Sequence, residues 1–284
     1  MEITVMSSAT RIAMVVQIAI GFLLPLGLLF FWCKGKKLSF RPALVGMVTF
    51  VAMVYGFENA AHQLILTSIK PLQNAVMTNA IYFAIYGGLM SGIFEECGRY
   101  FSINHFLKDY NTIEDGVSFG IGHGGIEMLI IVGFSILSNL LTYNTILAKG
   151  IEGAYGTAIT PEQTTVLVDT LNKFATIAPG MIVASIVERI FAIILHISLS
   201  VIIFIAVKNH KKWLLPVSIL LHALVNFPAG LYQANMIKNV FIVETLVGVV
   251  ALGCAAFAIY VYKTFGQTIE VPAPKLPKQK KLKN

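Results

Sequence analysis

The sequence predicts an all-α integral membrane protein, a bundle of about seven transmembrane helices with the N-terminus outside and the C-terminus in the cytoplasm. Of its 284 residues 56% are hydrophobic and only 12% are charged, whereas soluble globular domains carry about 25% charged residues. The apolar runs reach about 20 residues or more, the length that an α-helix needs to cross a bilayer. A chain of this length suits a single bundle and leaves no room for a sizeable soluble domain.

Seven apolar segments follow one another within a polytopic membrane domain at residues 1–265. They are predicted at residues 12–33, 42–69, 74–107, 112–141, 180–207, 213–232 and 240–265. The first is too long for the core of a signal peptide, so it is interpreted as an uncleaved span. Residues 142–179 form an external polar segment, in which Thr160-Pro161-Glu162 is typical of a helix start.

Basic residues predict the orientation, because cytoplasmic loops are enriched in lysine and arginine. Lysines and Arg41 follow the first span, and another lysine group follows the fifth. Residues 266–284 carry five lysines from Lys275 onward and are predicted to be a disordered basic tail in the cytoplasm. The formal charge of +7 lies mainly in these loops and the tail. This placement is typical of a topology signal beside the lipid bilayer and argues against a nucleic-acid partner.

The third predicted span carries two carboxyl groups and a guanidinium, at Glu95, Glu96 and Arg99. A charge at the bilayer centre costs at least ~2.5–3.5 kcal/mol on insertion scales, so such residues face the protein interior and usually have a function. Arg99 follows Glu95 by four residues and Glu96 by three, so it can pair with either. One glutamate would then stay ionised and the other would be free for chemistry, and the spacing leaves open which is which.

Four ionisable residues on separate predicted spans lie at one depth. Glu96, His123, His196 and His222 are each about ten or eleven residues from the cytoplasmic end of their span. At 1.5 Å per residue, they lie ~15–17 Å below those ends. The sequence therefore predicts a shared, water-accessible site inside the bundle.

Helical phase adds further candidates to this site. Phe119, His123 and Glu127 share one helical face, and so do His222 and Asn226. Four glycines surround His123 in the sequence: Gly120, Gly122, Gly124 and Gly125. Small residues permit the close approach of another helix.

The ordered set of motifs resembles the CPBP superfamily, which contains CAAX-processing and bacteriocin-processing intramembrane proteases and the PrsW proteases. The motifs are Glu95-Glu96-x-x-Arg99, Phe119-x-x-x-His123 and His222-x-x-x-Asn226. The Gly-His-Gly-Gly-x-Glu stretch around His123, together with the span containing Glu188, Arg189 and His196, looks most like the YhfC branch. The resemblance covers roughly residues 90–230.

This resemblance implies hydrolysis of a peptide bond in a membrane-embedded or lipidated substrate, in a bacterial plasma membrane. By analogy, Glu95 or Glu96 with His123 activates a water as general base. His222 and Asn226 then stabilise the oxyanion. Arg99, Phe119, Glu127 and His196 are supporting candidates. The pair and the arginine are spaced as in PrsW, one residue closer than in CAAX-type members.

Three alternatives remain open at this stage. No metal cofactor is predicted, but zinc is possible on His123, His196 and His222 with one glutamate. A proton- or ion-coupled transporter or channel would also bury such groups, and a non-catalytic membrane interaction protein could retain them.

Glu188 and Arg189 are interpreted as a structural buried pair. Glu58 and His62 are expected to make a surface or interhelical contact.

Overall fold

The computed structural model describes residues 2–35, 39–156 and 159–266, and within them the chain is helical with no strand. The helices are α1 (Ser8–Gly35), α2 (Arg41–Ser68), α3 (Lys70–Thr78), α4 (Ala80–Phe106), α5 (Ile113–Tyr155), α6 (Pro161–Ala175), α7 (Pro179–Lys208), α8 (Leu214–Gln233) and α9 (Val240–Phe265). Six of those described are long and apolar enough to cross a membrane, and the bent pair α3–α4 makes a seventh. The predicted all-α bundle of about seven spans is confirmed. The predicted tail lies outside the described residues, apart from Gly266.

Helix α7 lies at the centre of the bundle, where α1, α4, α5, α8 and α9 pack around it. Its second half is almost entirely apolar and buried, with Ile202, Ile203 and Phe204 fully enclosed. His196 precedes this stretch on the same helix and is only 3% exposed. The most enclosed helix therefore carries one of the predicted site residues into the middle of the protein.

The ends that the sequence places in the cytoplasm contact one another. Lys208 Nζ at the end of α7 donates to the Leu107 carbonyl at 2.7 Å, and Arg41 Nη2 donates to the Phe106 carbonyl at 3.4 Å. At the opposite end the Thr4 backbone N–H donates to Asn172 of α6 at 2.8 Å. The helices thus run up and down as predicted, while their orientation in a membrane stays a prediction.

Asn79 breaks the third predicted span, which begins at residue 80 and not at 74. Its backbone is extended, with φ −128° and ψ 116°, and its side chain accepts hydrogen bonds from the N–H groups of Ile81 and Tyr82. The helices on either side are bent by 114°. Residues 74–78 belong to α3, because an asparagine that caps the N-terminus of α4 cannot also continue α3.

Helix α5 continues to Tyr155, well past the predicted end at residue 141. Gly150 interrupts it with a positive φ of 70°, a conformation that glycine adopts without steric cost. Much of the polar segment is therefore helical, including α6, whose first turn is capped by Thr160. Both α2 and α5 also contain π-helical stretches, at Val51–Glu58 and Leu129–Phe134.

Two glycines bring the site helices into backbone contact. A Cβ on Gly120 would lie 2.5 Å from Ile197 Cα, and one on Gly92 would lie 2.6 Å from the Ile219 carbonyl oxygen. No real side chain fits at such distances, so α5 can touch α7 and α4 can touch α8 only because these positions are glycine. These contacts place His123 beside His196, and the Glu95–Glu96 pair beside His222.

Candidate functional site

Glu95 lies at the centre of a buried cluster to which four helices contribute. Its Oε2 is 2.9 Å from His123 Nε2 on α5 and 3.9 Å from His196 Nδ1 on α7. Its Oε1 is 3.6 Å from His222 Nε2 on α8. The carboxyl group is thus surrounded by three imidazoles, and all four residues are at most 6% exposed.

Glu96 has different partners from its neighbour. Its Oε1 lies 2.8 Å from His222 Nδ1, and its Oε2 lies 3.3 Å from Arg99 Nε. Arg99 therefore pairs with Glu96, whereas Glu95 faces the histidines. The structure separates two carboxyl groups that the spacing alone could not tell apart.

Arg99 joins the helices around the cluster and is fully enclosed. Its Nη1 donates to the His196 carbonyl at 2.8 Å and to Ser200 Oγ at 2.7 Å. Its Nη2 lies 3.3 Å from His123 Nε2 and 3.2 Å from His196 Nδ1. A buried charge is tolerated only where it is paired and hydrogen-bonded, and Glu96 with these acceptors meets that requirement.

Glu127 holds His196 from the far side of the ring, with its Oε2 2.5 Å from His196 Nε2. Arg189 Nη1 donates to Glu127 Oε1 at 2.7 Å and also ion-pairs with its neighbour Glu188. The Glu188–Arg189 pair is therefore linked to the cluster through Glu127. The sequence did not indicate this link, because it depends on how α5 and α7 are rotated about their axes.

Two aromatic rings enclose His123. The Phe119 ring stacks on it at 6.1 Å between centroids, and the Phe50 ring from α2 meets it edge-on at 5.3 Å. Phe119 was a candidate because it shares a helical face with His123. Phe50 was missed, and an apolar residue in an apolar span carries no signal that could have found it.

Asn226 is the predicted site residue that the structure does not bring to the cluster. Within the described chain its Nδ2 donates to Ser91 Oγ at 2.7 Å. It lies one turn after His222 on α8 and lines a cavity beside the cluster. To act directly in the chemistry, Asn226 would have to break its hydrogen bond to Ser91 and donate to a substrate oxygen instead.

The cluster has the donor chemistry of a divalent-cation site. Glu95, His123 and His196 each offer one ligand atom, and these atoms all lie within 4.8 Å of one another. One carboxylate with two imidazoles is a ligand set used by catalytic zinc, and ligating histidines commonly give their other ring nitrogen to a carboxylate, as His196 does with Glu127. The Arg99 guanidinium also lies within hydrogen-bond distance of His123 Nε2 and His196 Nδ1. It would have to move away from these nitrogens before a cation could bind them. His222 is outside this set, which therefore differs from the three histidines with one glutamate that the sequence left open for zinc.

Comparison with known proteins gives a family match and a similar relative. The family described as "YhfC intramembrane metalloprotease" matches residues 20–247. The chain is also 36% identical over 239 residues to the "Uncharacterized membrane protein YhfC" of Bacillus subtilis (strain 168), covering 82% of this chain and 89% of that protein. No solved structure gives a significant match. Neither match names the CPBP superfamily, so that wider resemblance stays a prediction. Family and helices together identify a multi-pass membrane protein, and the chain belongs to the YhfC intramembrane metalloprotease family.

Proposed function

We propose that this protein is an intramembrane peptidase that hydrolyses a peptide bond of a membrane-embedded substrate at Glu95. The observation that carries the proposal is the contact of one enclosed carboxyl group with three imidazoles from three other helices. Such a cluster can move protons at neutral pH, because histidine and carboxyl groups are the usual general acids and bases. The family description is the second support.

The two oxygens of Glu95 face different partners, which suggests a division of roles. Oε2 lies on the side of His123 and His196, and these three residues would hold a divalent cation. When bound, the cation would supply Lewis-acid activation of water and of the scissile carbonyl. Oε1 lies on the side of His222 and is left to accept a proton from the attacking water.

His222 is placed to return that proton to the leaving amine. Its Nδ1 lies 2.8 Å from Glu96 Oε1 and donates its hydrogen there, which fixes the ring. Its Nε2, 3.6 Å from Glu95 Oε1, is the nitrogen left to exchange a proton with Glu95 or to stabilise the substrate oxyanion. Glu96 is in turn held by Arg99. We therefore assign Glu95 as the base and Glu96 with Arg99 as positioning residues.

The experiment is cleavage of a library of transmembrane peptides by purified protein in liposomes. Glu95→Gln is expected to lower the rate at least ~10²-fold, the usual contribution of a general base. Glu244→Gln is the matched control, because Glu244 is a partly buried carboxyl on α9 that lines a different cavity. This variant should cleave the peptides at the wild-type rate.

Equal rates for the wild type and Glu95→Gln would refute this function. Solute flux through the same liposomes, lost in Glu95→Gln without any peptide cleavage, would instead favour the transporter that the sequence also allowed.

A further inference from the structure

A cavity of about 440 Å³, lined by both apolar and polar residues, lies beside the cluster, between α2, α3, α4, α7 and α8. Asn226 and Arg189 line the cavity on the side toward the site, and Arg189 is bonded to Glu127. Val76 and Met77 of α3 form another part of its wall. The bend at Asn79 therefore helps to build the cavity, because a straight third span would place these residues elsewhere. Its volume is within the ~300–1,000 Å³ usual for binding sites.

Glu58 on α2 lines this cavity, and it has one carboxyl oxygen that no group in the described part of the chain satisfies. The residue is 8% exposed, and its Oε2 has no hydrogen-bond partner in the described part of the chain. Its other oxygen, Oε1, lies 3.4 Å from His62 Nε2. His62 Nδ1 in turn lies 3.0 Å from the Tyr86 hydroxyl. A neutral His62 can accept from Tyr86 and donate to Glu58, an arrangement that orients the carboxylate without neutralising it.

The other charges around the cavity do not compensate Glu58. Arg189 is the one arginine or lysine among the described residues that line it. It is already paired with both Glu127 and Glu188. These three residues together keep an excess of negative charge when the two glutamates are ionised, so Arg189 has no charge left to compensate Glu58. A buried carboxylate oxygen without a donor is costly, and a cationic group entering the cavity would remove that cost.

We infer that this cavity is a substrate subsite that binds a basic side chain, with the ammonium or guanidinium group donating to Glu58. The inference rests on the proposed peptidase function for the identity of the substrate as a peptide. It adds a substrate specificity: the enzyme prefers transmembrane substrates that carry a lysine or arginine near the peptide bond that is cleaved. Arg189 connects the two sites through Glu127, and Asn226 lies one helical turn from His222, so the basic side chain and the peptide bond at Glu95 can belong to one bound segment.

The test measures binding without cleavage, in the Glu95→Gln background. The probes are dye-labelled leucine-rich peptides of about 20 residues, each with one lysine at a different position, and a matched set with norleucine in its place. Binding is followed by fluorescence anisotropy in nanodiscs. For at least one lysine position we expect affinity about ten-fold higher than for the norleucine peptide, as for one charge-assisted hydrogen bond. Adding Glu58→Gln should abolish this preference, and adding Glu244→Gln should retain it.

Equal affinity for the lysine and norleucine peptides at every position would overturn the inference. So would a lysine preference that survives Glu58→Gln. The peptide comparison within one protein needs no Glu58 variant, so it can overturn the inference even where that variant does not fold. Because binding is scored apart from turnover, a lysine preference without cleavage by the wild type would refute the peptidase and leave the cation subsite standing.

Discussion

Glu127 and His196 contact each other across α5 and α7, with Glu127 Oε2 2.5 Å from His196 Nε2. The contact turns the other ring nitrogen, Nδ1, toward Glu95. Glu127 is anchored by Arg189, so a chain of polar contacts runs from the cavity wall to the centre of the site. The orientation of His196 is thereby fixed by residues that do not touch Glu95.

If Glu95, His123 and His196 hold a metal as proposed, replacing Glu127 by Gln should weaken its binding without removing a ligand. A carboxylate on the far nitrogen of a ligating histidine raises its basicity, and losing such a partner typically costs roughly 10–100-fold in metal affinity or activity. The measurement is zinc affinity of the purified protein by competition with a chromogenic chelator. Glu244→Gln serves as the control and should bind as the wild type does. Unchanged affinity in Glu127→Gln would show that the contact does not support a ligand.

The three histidines should respond differently when each is replaced by Ala. His123→Ala and His196→Ala remove members of the set whose ligand atoms lie within 4.8 Å of one another, whereas His222→Ala does not. Elemental analysis should therefore find zinc lost from the first two variants and retained in the third. Activity should be lost in all three, because the proposed mechanism gives His222 a separate role in proton transfer. Zinc lost equally from His222→Ala would favour the alternative left open by the sequence, in which all three histidines bind the zinc.

Gly92→Ala should destabilise the bundle, and Gly87→Ala on the same helix should not. A Cβ at residue 92 would lie 2.6 Å from the Ile219 carbonyl oxygen, whereas one at residue 87 would meet nothing within 4 Å. Overpacking of this kind costs about 1–3 kcal/mol. The free energy of unfolding is measured by titration with a denaturing detergent. Equal stability of the two variants would mean that α4 and α8 do not approach each other this closely at residue 92.

The orientation of the bundle can be tested with single cysteines. After Cys33, Cys97 and Cys254 are replaced by Ala, Glu162→Cys on α6 and Lys212→Cys after α7 report on opposite ends. The positive-inside rule predicts that a membrane-impermeant maleimide labels residue 162 in intact cells and residue 212 only after lysis. The reverse labelling pattern would place the N-terminus in the cytoplasm.

The sequence could predict which residues meet, but not how they are paired. Span lengths and depth counting indicated Glu96, His123, His196 and His222, with Glu95 next to Glu96, because insertion of charge into a membrane is costly enough to confine such residues to the interior. The pairing of Arg99 with Glu96, and of Glu127 with His196, depends on rotations of whole helices that periodicity does not specify. The bend at Asn79 was missed because one asparagine hardly changes the apolar character of its surroundings.

The π-helical stretch Val51–Glu58 in α2 also sets the rotational register of everything that follows it. A π-turn holds one residue more than an α-turn, so the stretch takes up an extra residue without carrying its rotation along the helix. If the same residues formed a regular α-helix, every later side chain would turn by roughly 100° about the axis. Glu58 and His62 would then leave the cavity, while Phe50, which precedes the stretch, would keep its place against His123. One extra residue in a wide turn therefore keeps two parts of α2 facing the same interior: Phe50 against His123, and Glu58 with His62 in the cavity wall.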